Sequence, residues 1–164
     1  MKALNYYISE KFQVSKNYKH QYAYAPKDRD ELIECIKEKI DKEGLGTKYK
    51  PLNLNDIDTS EITDMSYLFH KYHDLKLLST NGYFDISDWD VSNVTNMAYM
   101  FCLSQFNGDI SDWDVSNVQS MCYMFYGSTF NGDISDWNIN NVKSMSHIFD
   151  DSALEKNPPK WYHE

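Results

Sequence analysis

Residues 106–153 hold the same 24-residue phrase twice, FNGDISDWDVSNVQSMCYMFYGST (106–129) running directly into FNGDISDWNINNVKSMSHIFDDSA (130–153). FDISDWDVSNVTNMAYMFCLSQ (84–105) precedes them, and a degenerate copy, LNLNDIDTSEITDMSYLF, lies at 52–69. Trp89, Trp113 and Trp137 recur every 24 residues, as do Met97, Met121 and Met145, and Phe101, Phe125 and Phe149. One unit of this size is too small to bury its own apolar face. Tandem copies must therefore stack and share a core, with stability passing from neighbour to neighbour. The degenerate copy aligns through Ile62, Met65 and Phe69, each 32 residues before its counterpart, so the eight extra residues are expected to loop out within HKYHDLKLLSTNGY (70–83).

Within a copy the apolar spacing changes. Trp89, Asp90 and Val91 alternate as in a short half-buried strand. Val94, Met97, Met100 and Phe101 are spaced three, three and one, the pattern of two helical turns. Asn-Gly at 107–108 and 131–132 then predicts a tight turn. The expected fold class is an α/β repeat solenoid of four coils (51–153), each a short strand and a short helix, preceded by an N-terminal helical capping region (1–50) and followed by a tail (154–164).

The cap is read from residues 26–44. Pro26, then Asp28 with Glu31 three later, mark a helix start, Leu32, Ile36 and Ile40 share one face, and Gly44 stops it. Residues 1–25, rich in tyrosine with Ile8 and Phe12, are expected to add a second helix or an extended segment. The tail EKNPPKWYHE is polar and proline-broken, either a loose end or a docking peptide anchored by Trp161.

Charge separates along the chain. Residues 1–50 carry 11 Lys+Arg against 8 Asp+Glu, a net +3, whereas residues 51–164 carry 5 against 17, a net −12. So acidic a repeat region repels phosphate, and direct nucleic-acid binding through it is disfavoured. No apolar run is long enough to span a membrane, and the opening residues lack a signal-peptide pattern, so a cytoplasmic protein is expected, with cell surface or virion the alternative if a leader precedes it. Cys35, Cys102 and Cys122 have no metal-ligand spacing and read as reduced, buried thiols. The five histidines do not recur with the repeat, His70 and His73 have no third ligand in sequence, and no nucleophile elbow, phosphate loop or zinc-protease motif is present. The chain reads as a non-enzyme with no cofactor and no metal.

Equivalent positions of stacked coils lie about 4.8 Å apart, so repeat columns become surface rows. The isoleucine, tryptophan, valine, methionine and phenylalanine columns are core, and Asn93, Asn117 and Asn141 form an internal hydrogen-bond ladder. Two columns are candidate binding features. The first is acidic: Asp88, Asp112 and Asp136, beside Asp90 and Asp114, with Asn138 interrupting the second row. Like charges at this spacing repel by about 1 kcal/mol even in water, a cost that a cationic partner would relieve. Against it stands the ordinary use of aspartate to cap turns. Calcium is a variant reading, as carboxylates at 85, 88 and 90 recur, though the glycine-rich nonapeptide of calcium solenoids is missing. The second column is Tyr67, Tyr99, Tyr123 and His147, an aromatic row of the kind enriched in interfaces, set against simple ring-on-ring packing.

The motif G-D-I-S-x-W-(D/N)-(V/I)-x-N-V-x-x-M-x-x-(M/I)-F resembles the BspA-like leucine-rich-repeat family, in the subgroup typified by mycoplasma lipoprotein repeats, over residues 52–150. The resemblance implies a leucine-rich-repeat-like solenoid from a bacterium or its phage, in a family whose members are surface proteins that adhere or bind other proteins. The opening KALNYYISEKFQVSKN is similar to the first residues of many phage and phage-derived proteins. Three functions follow as expectations: a non-catalytic protein-binding module whose partner has a basic surface; a phage-encoded inhibitor whose acidic face mimics phosphate; and a structural or adhesive component that associates with itself through its C-terminal coil.

Overall fold

A computed structural model describes residues 22–163. Helix α1 (Arg29–Glu43) starts where Asp28 accepts the Glu31 amide at 2.9 Å. The Glu31 carboxylate returns to the Lys27 amide (3.1 Å), one residue upstream of the usual box. Gly44, at φ 78°, ends the helix. Leu32, Ile33, Cys35 and Ile36 face inward and are buried, and Arg29 Nε donates to the Ser66 carbonyl at 2.6 Å. Lys39, although buried, pairs with Asp56 (2.8 Å) and Glu43 (3.0 Å), which fastens the helix to the first repeat copy. The aromatic segment expected over 1–25 lies, up to residue 21, outside the described residues; Tyr24 forms a parallel bridge to Ile57.

From residue 52 onward, equivalent residues of successive copies are neighbours. Strand β1 (Leu52–Asn53) pairs in parallel with β2 (Phe84–Asp85), and single parallel bridges join Asp64 to Asn96, Asn96 to Ser120, and Ser120 to Ser144. The offset is 32 residues for the first step and 24 for the next two. Alternate amides, those of residues 65, 67, 69 and 71, 97, 99, 101 and 103, and 121, 123, 125 and 127, each donate to a carbonyl of the following copy at 2.7–3.2 Å. This ladder leaves few backbone groups unpaired.

Inside run files of side chains from equivalent positions. Phe69, Phe101, Phe125 and Phe149 stack with centroids 5.6, 5.6 and 6.0 Å apart. Each tryptophan indole donates to a carbonyl of the preceding coil, Trp89 to Leu54 (3.0 Å), Trp113 to Ile86 (3.2 Å) and Trp137 to Ile110 (3.2 Å). Asn93, Asn117 and Asn141 likewise donate to Ser60, Ser92 and Ser116 at 2.7–2.8 Å.

Four features depart from the sequence reading. First, no helix forms over 94–101. Between the ladder amides, Met100, Cys102 and Ser104 donate three residues back, to Met97, Tyr99 and Phe101, so the segment is a chain of four-residue turns. A helix would have taken the alternate amides for itself and left the next coil's carbonyls without donors. Trp89 and Val91 are buried and Asp90 is exposed, as alternation predicts, but no strand forms: they join the turn closed by Trp89 N–H on the Ile86 carbonyl to the one closed by Val94 N–H on the Val91 carbonyl.

Second, the 70–83 insertion does not loop out. It contains helix α2 (Lys76–Asn81), buries Leu75, Leu78 and Ser79, and joins the stack where Gln105 N–H donates to the Ser79 carbonyl at 2.9 Å. Gly82, at φ 73°, ends it in a left-handed turn.

Third, no tight turn forms at the Asn-Gly pairs 107–108 and 131–132, and neither glycine has a positive φ. A β-carbon on Gly108 or Gly132 would come within 2.7 Å of the Phe106 or Phe130 ring, so glycine serves close approach there. Fourth, the tail is neither loose nor free to dock. Leu154 follows Phe130 by 24 residues and is buried; Trp161 follows Trp137 by 24, donates to the Ile134 carbonyl at 2.8 Å, and lies 5.8 Å from Phe149. Residues 154–163 are a partial fifth coil.

Candidate functional site

The aspartates divide by what the turns require. In Asp-x-Ser, the serine amide and hydroxyl turn back onto the aspartate carboxylate, closing a small ring that needs no other partner. Asp85 receives Ser87 (3.0 and 2.8 Å), Asp109 receives Ser111 (3.0 and 2.8 Å), and Asp90 receives Ser92 (3.0 and 2.6 Å). Asp114 and Asp133 accept the amides of Ser116 and Ser135 at 3.0 and 2.9 Å. Burial pushes the Asp85 carboxyl up, but the bonds from Ser87 and Asn55 outweigh it and hold the group below its ordinary range. Serine bonds lower Asp109, Asp114 and Asp133 in the same sense. Asp90 and Asp114, expected as binding residues, are thus also turn-formers.

Asp88, Asp112 and Asp136 are different. All three are exposed, and no donor among the described residues meets their carboxylates; at Asp88 only the backbone amide is engaged, by Asn55 Oδ1 at 3.0 Å. Stacking in register therefore keeps three outward carboxylates in one row, with Asp90 and Asp114 in the row beside it. Among the described residues no group of three or more His, Cys, Asp or Glu is placed to hold a metal ion.

The aromatic column is a ladder of ring faces. Tyr67 stacks on Tyr99 at 4.6 Å, Tyr99 on Tyr123 at 4.7 Å, both within 6° of parallel, and Tyr123 on His147 at 4.7 Å and 29°. All four residues are left-handed, with φ of 55–60°. Bulky side chains seldom adopt that conformation, so it persists here because turn and ladder together enforce it. The faces are spent on one another, which leaves the ring edges and hydroxyls. Burial, then the neighbouring Tyr67 and Tyr123, push the Tyr99 phenol up, so the hydroxyl stays protonated and can donate.

The insertion extends the row in a way that sequence spacing did not show. His73 lies 4.7 Å from Tyr67 and His70 5.6 Å from it, and the two imidazoles meet edge-on at 4.9 Å. The aromatic row thus has a histidine at either end, His73 before Tyr67 and His147 after Tyr123. His147 Nδ1 is 2.6 Å from Asp150 Oδ2. Tyr126, 5.6 Å from Tyr123, is a further member whose phenol is pushed up by its bond to Asp151. The only sequence hint at Tyr126 is its position three residues after Tyr123.

Cys35 and Cys102 are buried, which drives their thiols up to about 12 and about 11 and leaves them unreactive near neutral pH. Cys122, expected to be buried, is half-buried. Two open clefts of about 190 and 390 Å³ lie beside α1, and neither contains any of the nine aspartate, tyrosine and histidine residues of the two columns. No helix among the described residues is long and apolar enough to cross a membrane.

Compared with known proteins, residues 45–161 match a family model described as a Mycoplasma protein of unknown function, DUF285. The match ends at Trp161, the last residue of the indole relay. No curated protein and no solved structure matches the chain.

Proposed function

From the premise that the chain belongs to the DUF285 family, whose function is unknown, we propose that it is a non-catalytic protein-interaction module of a bacterium or its phage. In this reading it is a BspA-like, leucine-rich-repeat-type solenoid that binds a partner with a basic surface. The observation that carries the reading is the row Asp88, Asp112 and Asp136: exposed, at equivalent positions of successive copies, and with carboxylates that meet no donor among the described residues, beside aspartates that the turns consume. Holding like charges at that spacing favours a cationic partner, which gains from charge already arranged. The aromatic row supports the same reading, since rigid tyrosine edges contribute contact area at low entropic cost. Association with itself, coil on coil, is less well supported. On the first coil the Ser66 carbonyl is already taken by Arg29, and on the last coil Trp161 covers Phe149, so stacking of copies would have to displace both.

The test is affinity capture from lysate of a bacterial host, comparing the natural chain with a triple Asp88→Asn, Asp112→Asn, Asp136→Asn variant. Loss of a partner that is also released by salt supports the acidic row. Undiminished capture refutes it and leaves the tyrosine row. If double-stranded DNA displaces the captured partner, the phosphate-mimicking inhibitor is the specific form of the function.

A further inference from the structure

We propose that residues 70–75 are an acid-released cover over the Tyr67 end of the aromatic row, held shut while His70 is neutral. The segment leaves the first coil at Phe69 and folds back, so that His73 caps Tyr67 at 4.7 Å and His70 bridges towards Tyr99 at 6.4 Å. His70 Nδ1 accepts the Tyr72 amide at 3.1 Å, which assigns its proton to Nε2. A proton on Nδ1 ends that bond by replacing its acceptor with a second donor, and it places positive charge 4.9 Å from the neighbouring imidazole.

Among the described residues no carboxylate is placed to offset the charge. On the segment itself the ionisable groups are Lys71, Tyr72 and Asp74; Lys71 lies over the Tyr72 ring, and Asp74 is met by Lys37 of α1 at 4.0 Å. The first coil contributes Tyr67, and the second contributes Tyr99 and Cys102, whose carbonyl accepts the Lys71 amide. Among the described residues no carboxylate pairs with either imidazole. His147, at the far end of the same row, has Asp150 at 2.6 Å. The two ends of the ladder thus differ in whether a carboxylate meets the imidazole.

Burial, followed by the proximity of His73, holds the His70 imidazole below its ordinary value. A depressed histidine contributes stability that is complete above the unfolded value of 6.5 and is lost as pH falls below it. Release would uncover the outer face of Tyr67 and loosen α2, whose first amide, Lys76 N–H, is held by the His73 carbonyl. As regulation of binding this rests on the aromatic row belonging to the partner surface; as a conformational step it does not.

Hydrogen–deuterium exchange of the full chain near pH 7.5 and pH 5.5 tests it without a partner. After correction for intrinsic rates, peptides within 70–81 are expected to exchange roughly tenfold faster at the lower pH, while those within 97–127 hold. His70→Gln, neutral at both pH values and still an acceptor, is expected to abolish the acid response. Equal corrected exchange at the two pH values, or an unchanged acid response in His70→Gln, overturns the proposal. An NMR titration of the natural chain serves if the variant does not fold: a His70 value at or above the ordinary 6.5 overturns it equally. Failure of the tyrosine row to bind a partner alters none of these readouts.

Discussion

Tyr99 occupies a backbone conformation that glycine adopts freely and tyrosine does not, at φ 60°, and this makes the order of two substitutions diagnostic. Replacing Tyr99 by Ala removes two stacked ring contacts, at 4.6 and 4.7 Å, but leaves a β-carbon in the left-handed region. The ring contacts contribute about 0.5–1.5 kcal/mol each beyond burial, so a loss of about 1–3 kcal/mol is expected for Tyr99→Ala. Tyr99→Gly loses the same contacts but recovers the left-handed penalty of about 1–2 kcal/mol. Glycine should therefore be the more stable variant by about 1 kcal/mol, the reverse of the order at an ordinary site, where extra chain entropy makes glycine the worse choice. Urea denaturation midpoints of the two variants measure this directly, provided their slopes agree. Alanine proving more stable than glycine would refute both the turn geometry assigned to 97–100 and the view that stacking is what retains tyrosine there. The neighbouring copy supplies a control: Gly127, φ 60°, already holds the equivalent of Leu103, and Gly127→Ala should cost about 1–2 kcal/mol.

Removing the indole donor by Trp137→Phe leaves the Ile110 carbonyl with the Trp113 amide alone, at 3.3 Å, and the lost hydrogen bond should destabilise by about 0.5–1.5 kcal/mol in the same assay. Deleting residues 154–164 uncovers Phe149 and leaves the Ile134 carbonyl with the Trp137 amide alone, at 3.3 Å. Exchange should then accelerate first in 130–153 and least near α1, whereas uniform acceleration would deny the tail its capping role. Asp85, Asp109, Asp114 and Asp133 titrate below their ordinary value in the folded chain, so they stabilise it fully above about pH 4, and that contribution drains away as pH falls further. Acid unfolding followed by circular dichroism should therefore shift to higher pH when the four are changed to Asn, because Asn retains the acceptor but not the charge.

The sequence alone yielded the repeat length, the 32-residue first offset and the alignment of Ile62, Met65 and Phe69, since an apolar column can be satisfied only by neighbours in register. The helix over 94–101 was misread because a chain of four-residue turns buries Met97, Met100 and Phe101 with the same spacing as a helix. Hydrogen-bond partners, not apolar period, separate the two. Left-handed backbone at Tyr67, Tyr99, Tyr123 and His147 was not legible either, because it falls on residues that do not advertise it. Trp161, read as the anchor of a docking peptide, stands 24 residues after Trp137, but two prolines and the absence of the repeat's flanking phrase hide the partial coil. On the surface, the columns are written in the repeat, but the job of each aspartate is not. What distinguishes Asp88, Asp112 and Asp136 from Asp85, Asp109 and Asp133 is the serine two residues on, a signal present in the sequence whose meaning depends on the turn. His70 and His73 reach the aromatic row only because the insertion folds back, a tertiary event with no local marker.

Neighbourhood of residues 24 apart underlies every row described above, and ring-proton contacts between Tyr99 and Tyr123 measure it most directly. With centroids 4.7 Å apart and rings nearly parallel, strong nuclear Overhauser effects should link Tyr67 to Tyr99 and Tyr99 to Tyr123 in selectively labelled protein, with none between Tyr67 and Tyr123. Absence of the two adjacent cross-peaks, with all three tyrosines assigned, would contradict the stacked-coil account.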